Sequence, residues 1–324
     1  MMEGAQDCFA DVHGMRIHYV RCGQGRPLVL IHGLVGSTAN WRRNLGALAE
    51  HACVYALDLA NMGRSERRPG LDSRLAATAD RVVGWMDAVG IAEADIAGHS
   101  HGGAVAMMLA AHYPERVRSL VLFAPANPYS SLSDWMVQLY STTVGGWIAR
   151  VGLRMPSWVH RIALGRMYGD ARRIVPGTLE GYMRGLRVPG TVPYILGIVR
   201  SWFSEMQVLK AVVPELSGMP TLLVWGDRDR AVSLESGQRL HRELSLSEWV
   251  LVPGAGHVAF EEMPEVCDRA MLLWLQSVGT REFGAHDMRV RQDACEHAPS
   301  EVAARREVAP RGLRTLSDRP RLGT

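Results

Sequence analysis

The chain has 324 residues, of which 47% are hydrophobic, and its formal net charge is only +3. That length and apolar content predict one large globular domain, or one domain with an insertion, and the small charge argues against nucleic-acid binding. The five cysteines are odd in number and widely spaced, so neither a disulfide framework nor a zinc site is predicted. No signal-peptide pattern and no run of about 20 apolar residues is visible, and we expect a cytoplasmic protein without stable membrane insertion.

Alternating residues at 9–12 and 16–21 predict an N-terminal β-hairpin. Short runs that are apolar on both faces then recur, which is typical of central strands in a parallel sheet. These runs are 28–32, 53–57, 94–97, 120–124, 221–225 and 249–252. Helical stretches are predicted at 38–50, 73–89, 102–113, 234–244 and 265–276. This alternation predicts a mostly parallel, doubly wound α/β fold.

The alternation stops once, between the apolar runs at 120–124 and 221–225. About ninety residues there carry no strand signal, which is far longer than an ordinary loop. We interpret 127–216 as an inserted helical cap, in which Trp135, Trp147 and Trp202 are predicted to line a substrate pocket. The core is predicted to comprise 1–126 and 217–280. The last residues, 281–324, are rich in Arg, Glu and Pro, and we expect them to be disordered.

A strand-turn-helix pattern surrounds Ser100. The sequence Gly98-His99-Ser100-His101-Gly102 follows an apolar run, precedes a helical stretch and matches the pattern G-x-S-x-G. In such a turn the central side chain points outward from a strained backbone, and a Cβ on either glycine would clash. Ser100 is therefore predicted to be a nucleophile. The alternative is a serine in an ordinary glycine turn, and the remaining motifs argue against it.

The apolar run at 28–32 ends in His32 and is followed by Gly33 and Leu34. A developing oxyanion needs two preorganised backbone N–H donors. We predict that Leu34 and His101 supply them, with Gly33 allowing the turn. We interpret His32 as a structural residue that shapes the loop, and not as a proton carrier.

Two aspartates, Asp227 and Asp229, follow a predicted strand. An acid at the carboxyl end of a strand lies where α/β sites form, and there it can orient a histidine. Asp229 has the better spacing, and Asp227 is the alternative, interpreted as a turn residue. His257 lies in a glycine-rich loop after the last strand, from which it can reach a serine. The order Ser100, Asp229, His257 predicts a Ser-His-Asp triad.

Together these motifs resemble the α/β-hydrolase superfamily, in particular its cap-bearing members of the esterase, haloperoxidase-like and C–C hydrolase types. The resemblance covers about residues 9 to 278. The matching segments are HGLVGS at 32–37, DLANMGRS at 58–65, GHSHGG at 98–103, AHYPERV at 111–117, WGDRD at 225–229 and GAGHVAFEEMPE at 254–265. The resemblance implies the α/β-hydrolase fold, a helical cap and a triad that needs no metal and no cofactor.

Three departures bear on the substrate. Ser100 argues against the members with an aspartate nucleophile, which are the haloalkane dehalogenases and epoxide hydrolases. Residues 60–62 read Ala-Asn-Met where the family commonly has a Pro-Gly pair, and His101 stands where Met or Gln is usual. The substrate class therefore stays open.

The expected reaction is hydrolysis of a carboxylic ester or a related carbonyl compound through an acyl-enzyme. We expect a small-molecule carbonyl substrate with a medium or large hydrophobic acyl group, because the predicted cap is apolar and aromatic. The same triad serves C–C bond hydrolysis of diketones, lactone opening and acyl transfer, which the sequence does not separate. A non-catalytic small-molecule receptor on this fold is the alternative of another class, and homodimerisation is left open.

Overall fold

The structure, a computed structural model, describes residues 4–130, 134–140 and 142–280. Eight strands form one sheet: β1 (Gln6–Val12), β2 (Met15–Cys22), β3 (Pro27–Ile31), β4 (Cys53–Leu57), β5 (Ala94–His99), β6 (Val117–Phe123), β7 (Thr221–Gly226) and β8 (Ser247–Val252). Their order across the sheet is β1-β2-β4-β3-β5-β6-β7-β8. The strand β2 pairs antiparallel with β1 and β4, and the other neighbours are parallel. This arrangement confirms the predicted mostly parallel α/β sheet.

Both faces of the sheet are covered, because successive side chains of a strand point to opposite faces. Along β3, Val29 and Ile31 join one buried cluster, whereas Leu28 and Leu30 join another. This double burial explains why the central strands read as continuous apolar runs. The carboxyl ends of the parallel strands meet at one edge of the sheet, and the loops that follow them carry the predicted site residues.

The predicted N-terminal hairpin is confirmed, with its turn at His13 and Gly14. Both residues have positive φ values, 51° and 76°. Two successive residues with positive φ match the right-handed twist of the flanking strands. The side chain of Asp11 completes the turn by accepting the N–H of Gly14 at 2.8 Å.

Twelve α-helices lie in the described ranges. They are α1 (Leu45–Ala49), α2 (Leu75–Ala88), α3 (His101–His112), α4 (Asp134–Tyr140), α5 (Thr143–Gly152), α6 (Ser157–Gly165), α7 (Thr178–Leu186), α8 (Thr191–Arg200), α9 (Trp202–Val212), α10 (Leu234–Glu243), α11 (Ala259–Glu262) and α12 (Pro264–Thr280). Short 3-10 helices occupy Thr38–Arg43, Pro114–Arg116, Ala171–Arg173 and Val213–Gly218.

The helical stretch predicted at 38–50 is confirmed, but it is divided into two short helices. A 3-10 helix and the short α1 occupy this stretch, and they meet at Asn44. The side chain of Asn44 is buried and donates to Phe260 O at 3.0 Å and to Asp268 Oδ1 at 2.7 Å. Because the buried side chain of Asn44 must bond to residues of other helices, the chain has a fixed position at this residue. The spacing of apolar residues does not predict such a bond.

Six helices, α4 to α9, lie between β6 and β7; we call them the helical insertion. The described part of this interval contains no strand. Its last helix is joined to the body of the protein, because Glu205 of α9 accepts the N–H of Leu75, the first residue of α2, at 2.7 Å. The division into a core (1–126 and 217–280) and a cap (127–216) stays a prediction. The tail predicted at 281–324 lies outside the described residues.

His18 on β2 bridges two carboxylates. Its Nδ1 lies 2.6 Å from Asp58 Oδ2, and its Nε2 lies 2.6 Å from Asp7 Oδ1. Burial opposes the charged form, but the hydrogen bond and negative charge of Asp58 outweigh it and raise the pKa of His18. Asp58 also accepts the N–H groups of Thr38 and Arg64 at 2.6 and 2.7 Å. His18 therefore ties β2 to the loop that follows β4.

We expect the His18 contribution to stability to be lost as the pH rises. Since the pKa is raised by folding above its ordinary value of 6.5, the contribution is fully present below 6.5 and disappears as the pH passes through the folded-state pKa. Urea unfolding between about pH 5 and pH 8 measures the free energy of unfolding of wild type and His18→Gln. The variant should lack this alkaline decline, and equal slopes in both proteins would contradict the prediction.

Candidate active site

Ser100 occupies the turn between β5 and α3, with φ 52° and ψ −119°. A non-glycine residue rarely adopts a positive φ, and such strain concentrates at functional sites. Close backbone packing surrounds the turn: a Cβ on Gly98 would lie 2.5 Å from Gly102 O, and a Cβ on Gly102 would lie 2.4 Å from His32 O. Only glycine fits at these two positions.

The backbone of Ser100 is held on both sides. Its N–H donates to Phe123 O at 3.0 Å, and its carbonyl oxygen accepts the N–H of Ala126 at 2.9 Å. The helix α3 begins at the next residue, so the positive end of its dipole points at the turn. The turn is therefore fixed by the end of β6 and by α3.

His257 and Asp229 are hydrogen-bonded. The Nδ1 atom of His257 lies 2.8 Å from Asp229 Oδ2, and both side chains are buried. The other carboxylate oxygen accepts the N–H groups of Ala231 and Val232 at 2.7 and 2.9 Å. These two bonds fix the carboxylate, so Oδ2 faces the ring in one orientation. A proton on Nδ1 leaves the lone pair on Nε2, the nitrogen that can accept a proton from a hydroxyl group.

The alternative acid, Asp227, has different surroundings. It is exposed, and its Oδ1 accepts the N–H of Gly254 at 2.7 Å. That bond closes the loop between β8 and His257. Asp227 therefore acts as a turn residue, which is the alternative role that the sequence analysis gives it. The structure thus brings Asp229, and not Asp227, against the histidine.

His99, the residue before Ser100, contacts the loop that carries His257, which we call the histidine loop. Its Nε2 lies 3.0 Å from the carbonyl oxygen of His257, and the two ring centroids are 4.6 Å apart. Burial, followed by the nearby His257, keeps the pKa of His99 well below its ordinary value. A neutral His99 therefore donates its Nε2 proton to the carbonyl group of His257. The sequence alone favours a pocket or packing role for His99, with tuning of the nucleophile as the alternative.

The turn after β3 lies directly against Ser100, since a Cβ on Gly33 would be 3.3 Å from Ser100 Cβ. The Nδ1 of His32 is 2.7 Å from Gly33 O, and its Nε2 accepts the N–H of Leu59 at 3.1 Å. Burial lowers the pKa of His32, so the ring is neutral with its proton on Nδ1. These bonds match the loop-shaping interpretation of His32.

The two predicted oxyanion donors belong to the turn after β3 and to the start of α3. Leu34 follows Gly33 in the turn and is partly buried. His101 is the first residue of α3, where a backbone N–H has no partner within the helix. Burial and the nearby His32 lower the pKa of the His101 ring to about 4, so it carries no charge at neutral pH. The donor role of the two N–H groups stays a prediction.

A carboxylate that the sequence analysis does not single out, Glu262, holds the loop of His257. Its side chain has no exposed surface. One oxygen accepts the N–H groups of Gly256 and Gly169 at 2.8 and 2.9 Å, and the other accepts the N–H of Asp170 at 2.9 Å. Glu262 thereby joins the histidine loop to the helical insertion.

The histidine loop and the insertion also touch through backbone atoms. The N–H of His257 donates to Met167 O at 2.8 Å. A Cβ on Gly256 would lie 2.5 Å from Met167 O, and a Cβ on Gly169 would lie 2.3 Å from Gly254 O. Both contacts exclude any larger residue. The position of His257 therefore depends on the insertion as well as on the sheet.

The three tryptophans predicted to line a pocket have different surroundings. Trp147 on α5 is 62% exposed, whereas Trp202 at the start of α9 is 8% exposed and packs in a buried cluster. Trp135 belongs to α4, but its side chain lies outside the described part of the chain. Their pocket role stays a prediction, and the positions of Trp147 and Trp202 do not support it.

Neither a metal-binding cluster nor a membrane-spanning helix is found in the described ranges. No group of three or more His, Cys, Asp or Glu residues there is arranged to hold a metal ion. Within the same ranges, every helix is too short or too polar to cross a bilayer. In this part of the chain Cys8, Cys22 and Cys53 are free thiols.

Known proteins resemble this chain over most of its length. Residues 26–152 match the family model of the α/β hydrolase fold, and residues 202–279 match that of TAP-like proteins. A 2-hydroxymuconate semialdehyde hydrolase of Pseudomonas sp. is 40% identical over 246 residues, which are 73% of this chain and 80% of that protein. The dihydrolipoyllysine-residue acetyltransferase component of the acetoin cleaving system from Cupriavidus necator is 32% identical over 227 residues, 69% of this chain. The match spans only 58% of that relative's length.

A solved structure gives the same fold. The haloalkane dehalogenase from Agrobacterium tumefaciens matches with a TM-score of 0.75 at 23% identity, over 85% of this chain and 98% of that one. At 23% identity this match supports the fold alone. The family model and the relative at 40% identity show that the sequence, too, resembles the α/β hydrolases. The chain therefore belongs to the α/β-hydrolase superfamily.

Proposed function

We propose that this chain is a serine hydrolase that cleaves a carboxylic ester or a related carbonyl compound through an acyl-enzyme. The main support is the 2.8 Å bond between His257 and Asp229, at the same sheet edge as Ser100 in its positive-φ turn. A nucleophile, a base with a free Nε2 and an acid that orients the base are the parts that acyl transfer needs.

In the proposed reaction, His257 Nε2 takes the proton of Ser100 as Oγ attacks the substrate carbonyl. Asp229 stabilises the resulting imidazolium, and the N–H groups of Leu34 and His101 bind the oxyanion. The imidazolium then protonates the leaving group, and the C–O bond to that group breaks. Water, deprotonated by the same histidine, attacks the acyl-enzyme and releases the acid and free Ser100.

The helical insertion serves in this proposal as a cap over the sheet edge. Its segment at Met167–Asp170 contacts the histidine loop directly, so the insertion lies beside the reacting groups. The apolar and aromatic content of the insertion favours a small-molecule carbonyl substrate with a medium or large hydrophobic acyl group.

A second candidate is hydrolysis of a carbon–carbon bond beside a ketone. The observation in its favour is the 40% identity to the 2-hydroxymuconate semialdehyde hydrolase. The same nucleophile, base and oxyanion donors serve both reactions, so the triad geometry alone does not decide between them.

Initial rates on two substrate sets test the proposal. We expect turnover of p-nitrophenyl esters, with the chain-length optimum between acetate and decanoate reporting the size of the pocket. Turnover of 2-hydroxymuconate semialdehyde alone would favour the second candidate. If neither set reacts and a fluorophosphonate probe labels no serine, the proposal fails and a non-catalytic small-molecule receptor is favoured.

Replacing Glu262 with glutamine is expected to lower kcat by roughly tenfold to a hundredfold, with a smaller change in KM. A glutamine has one acceptor oxygen, so it cannot accept all the backbone N–H groups that Glu262 now binds. The loop that carries His257 would lose its fixed position. Rates measured over a range of p-nitrophenyl acetate concentrations give both constants.

The neighbouring Glu261 provides a matched control. Its side chain also has no exposed surface, but it binds Arg42 and Tyr182 and makes no bond to the histidine loop. Glu261→Gln should keep kcat within about threefold of wild type, because a change away from the reacting groups mainly affects stability. If both variants lose kcat equally, Glu262 has no special effect on His257.

A further inference from the structure

Two consecutive helices of the insertion expose large apolar side chains. Val144 and Trp147 of α5 are 60% and 62% exposed, and Trp158 and Ile162 of α6 are 63% and 60% exposed. Spacings of three and four residues place each set along one side of its helix. The exposed apolar residues of this stretch are Val144, Trp147, Ile148, Met155, Trp158 and Ile162, and we call them the α5–α6 face.

The packing of α5 is the reverse of that of an ordinary surface helix. Its buried residues are Gly145 and Gly146, while its tryptophan points outward. A Cβ on Gly145 would lie 2.0 Å from Leu139 O, so the helix meets α4 through a glycine. Soluble proteins bury their large apolar side chains, and an exposed apolar patch marks an interaction site.

The two helices are linked at their junction. His160 Nε2 on α6 lies 2.8 Å from Gly152 O at the end of α5, and the exposed Met155 lies in the connection. This bond ties the first turn of α6 to the end of α5. The two exposed apolar rows therefore belong to one continuous stretch of surface chain.

The two helices and the connection between them carry only positive charges. Residues 135–169 contain four arginines and no aspartate or glutamate. Arg150, Arg154 and Arg161 are exposed, and none pairs with a carboxylate whose side chain the structure describes. Glu180 of α7 lines a surface cavity of about 410 Å³ together with Ser157 and His160 of α6, and Arg184 and Arg187 line the same cavity.

We propose that the α5–α6 face docks on the surface of an anionic lipid bilayer. Tryptophans on an amphipathic helix enter the boundary between headgroups and acyl chains, while arginines bind lipid phosphates. A second copy of this chain fits less well, because a symmetric dimer would place the arginines of one face against those of the other.

Co-sedimentation of the full chain with vesicles tests this proposal. Vesicles of equal parts phosphatidylglycerol and phosphatidylcholine should bind the protein, and vesicles of phosphatidylcholine alone should bind it much less. The double variant Trp147→Ser with Trp158→Ser should bind at least about tenfold more weakly. Arg150→Gln with Arg154→Gln should also lose about tenfold on the anionic vesicles, and less at high salt.

Leu246→Ser with Leu273→Ser is the matched control, since these leucines are 43% and 49% exposed outside the insertion. The control should bind vesicles as wild type does. Circular dichroism shows whether each variant is folded, and the arginine variant tests the proposal independently of the tryptophans. The proposal is overturned if wild type does not sediment with anionic vesicles or if the control loses as much binding as the tryptophan variant. A wild-type dimer that the tryptophan variant abolishes, without vesicle binding, would assign the face to a second copy.

Discussion

Replacing Ser100 with alanine is expected to lower kcat for ester hydrolysis at least about ten-thousandfold, because the acyl-enzyme can no longer form. The alanine removes one oxygen and leaves the bond between His257 and Asp229 in place. Stability should fall little, since the side chain of Ser100 makes no described hydrogen bond. Initial rates on p-nitrophenyl esters, with wild type and variant prepared in parallel, measure the loss.

Ser204→Ala is the control for this experiment. Ser204 is exposed on α9, where its hydroxyl donates to Ser201 O at 2.8 Å. This variant should hydrolyse the esters at a rate within about twofold of wild type, as expected for a surface substitution. Equal rates in wild type and Ser100→Ala would show that another group attacks the substrate.

Asp229→Asn is expected to lower kcat by about ten-thousandfold. The carboxylate oxygen Oδ1 accepts two backbone N–H groups, from Ala231 and Val232. An asparagine must keep its only oxygen there, which turns its NH₂ group towards His257. The Nδ1 of His257 must then accept, so its proton moves to Nε2, and the nitrogen that faces the nucleophile loses its lone pair.

The control for Asp229→Asn is the same substitution at the other aspartate, Asp227. Asp227→Asn alters a side chain that caps Gly254 and does not touch His257, so kcat should change by no more than about threefold. Unfolding curves of both variants show whether a loss of kcat reflects a loss of structure. A kcat of Asp229→Asn close to that of wild type would remove Asp229 from the proposed triad.

The sheet was predictable because each central strand is a short run of residues buried on both faces. The site residues were predictable for a related reason. Ser100, Asp229 and His257 follow the parallel strands β5, β7 and β8, and the carboxyl ends of parallel strands meet at one edge. Local sequence therefore places each residue near the others without knowledge of any long-range contact.

Contacts between distant segments were not predictable in this way. Glu261 and Glu262 are adjacent acids that read as a solvated helix end, yet both side chains are fully buried. Most of their partners lie far away in sequence, as with Gly169, which is 93 residues from Glu262. The break at Asn44 has the same origin, because its side chain binds residues of α11 and α12. When a polar residue is buried by a partner that is distant in sequence, the residues around it give no sign of that burial.

The identity of the nucleophile is tested most directly by labelling the full chain with a fluorophosphonate and locating the adduct by mass spectrometry. The probe reacts covalently with a serine whose hydroxyl is activated by a neighbouring base. We expect one adduct per chain, on Ser100, with labelling strongly slowed in Asp229→Asn. An adduct on another serine, or no adduct in a protein that hydrolyses esters, would contradict the assignment of Ser100 as the nucleophile.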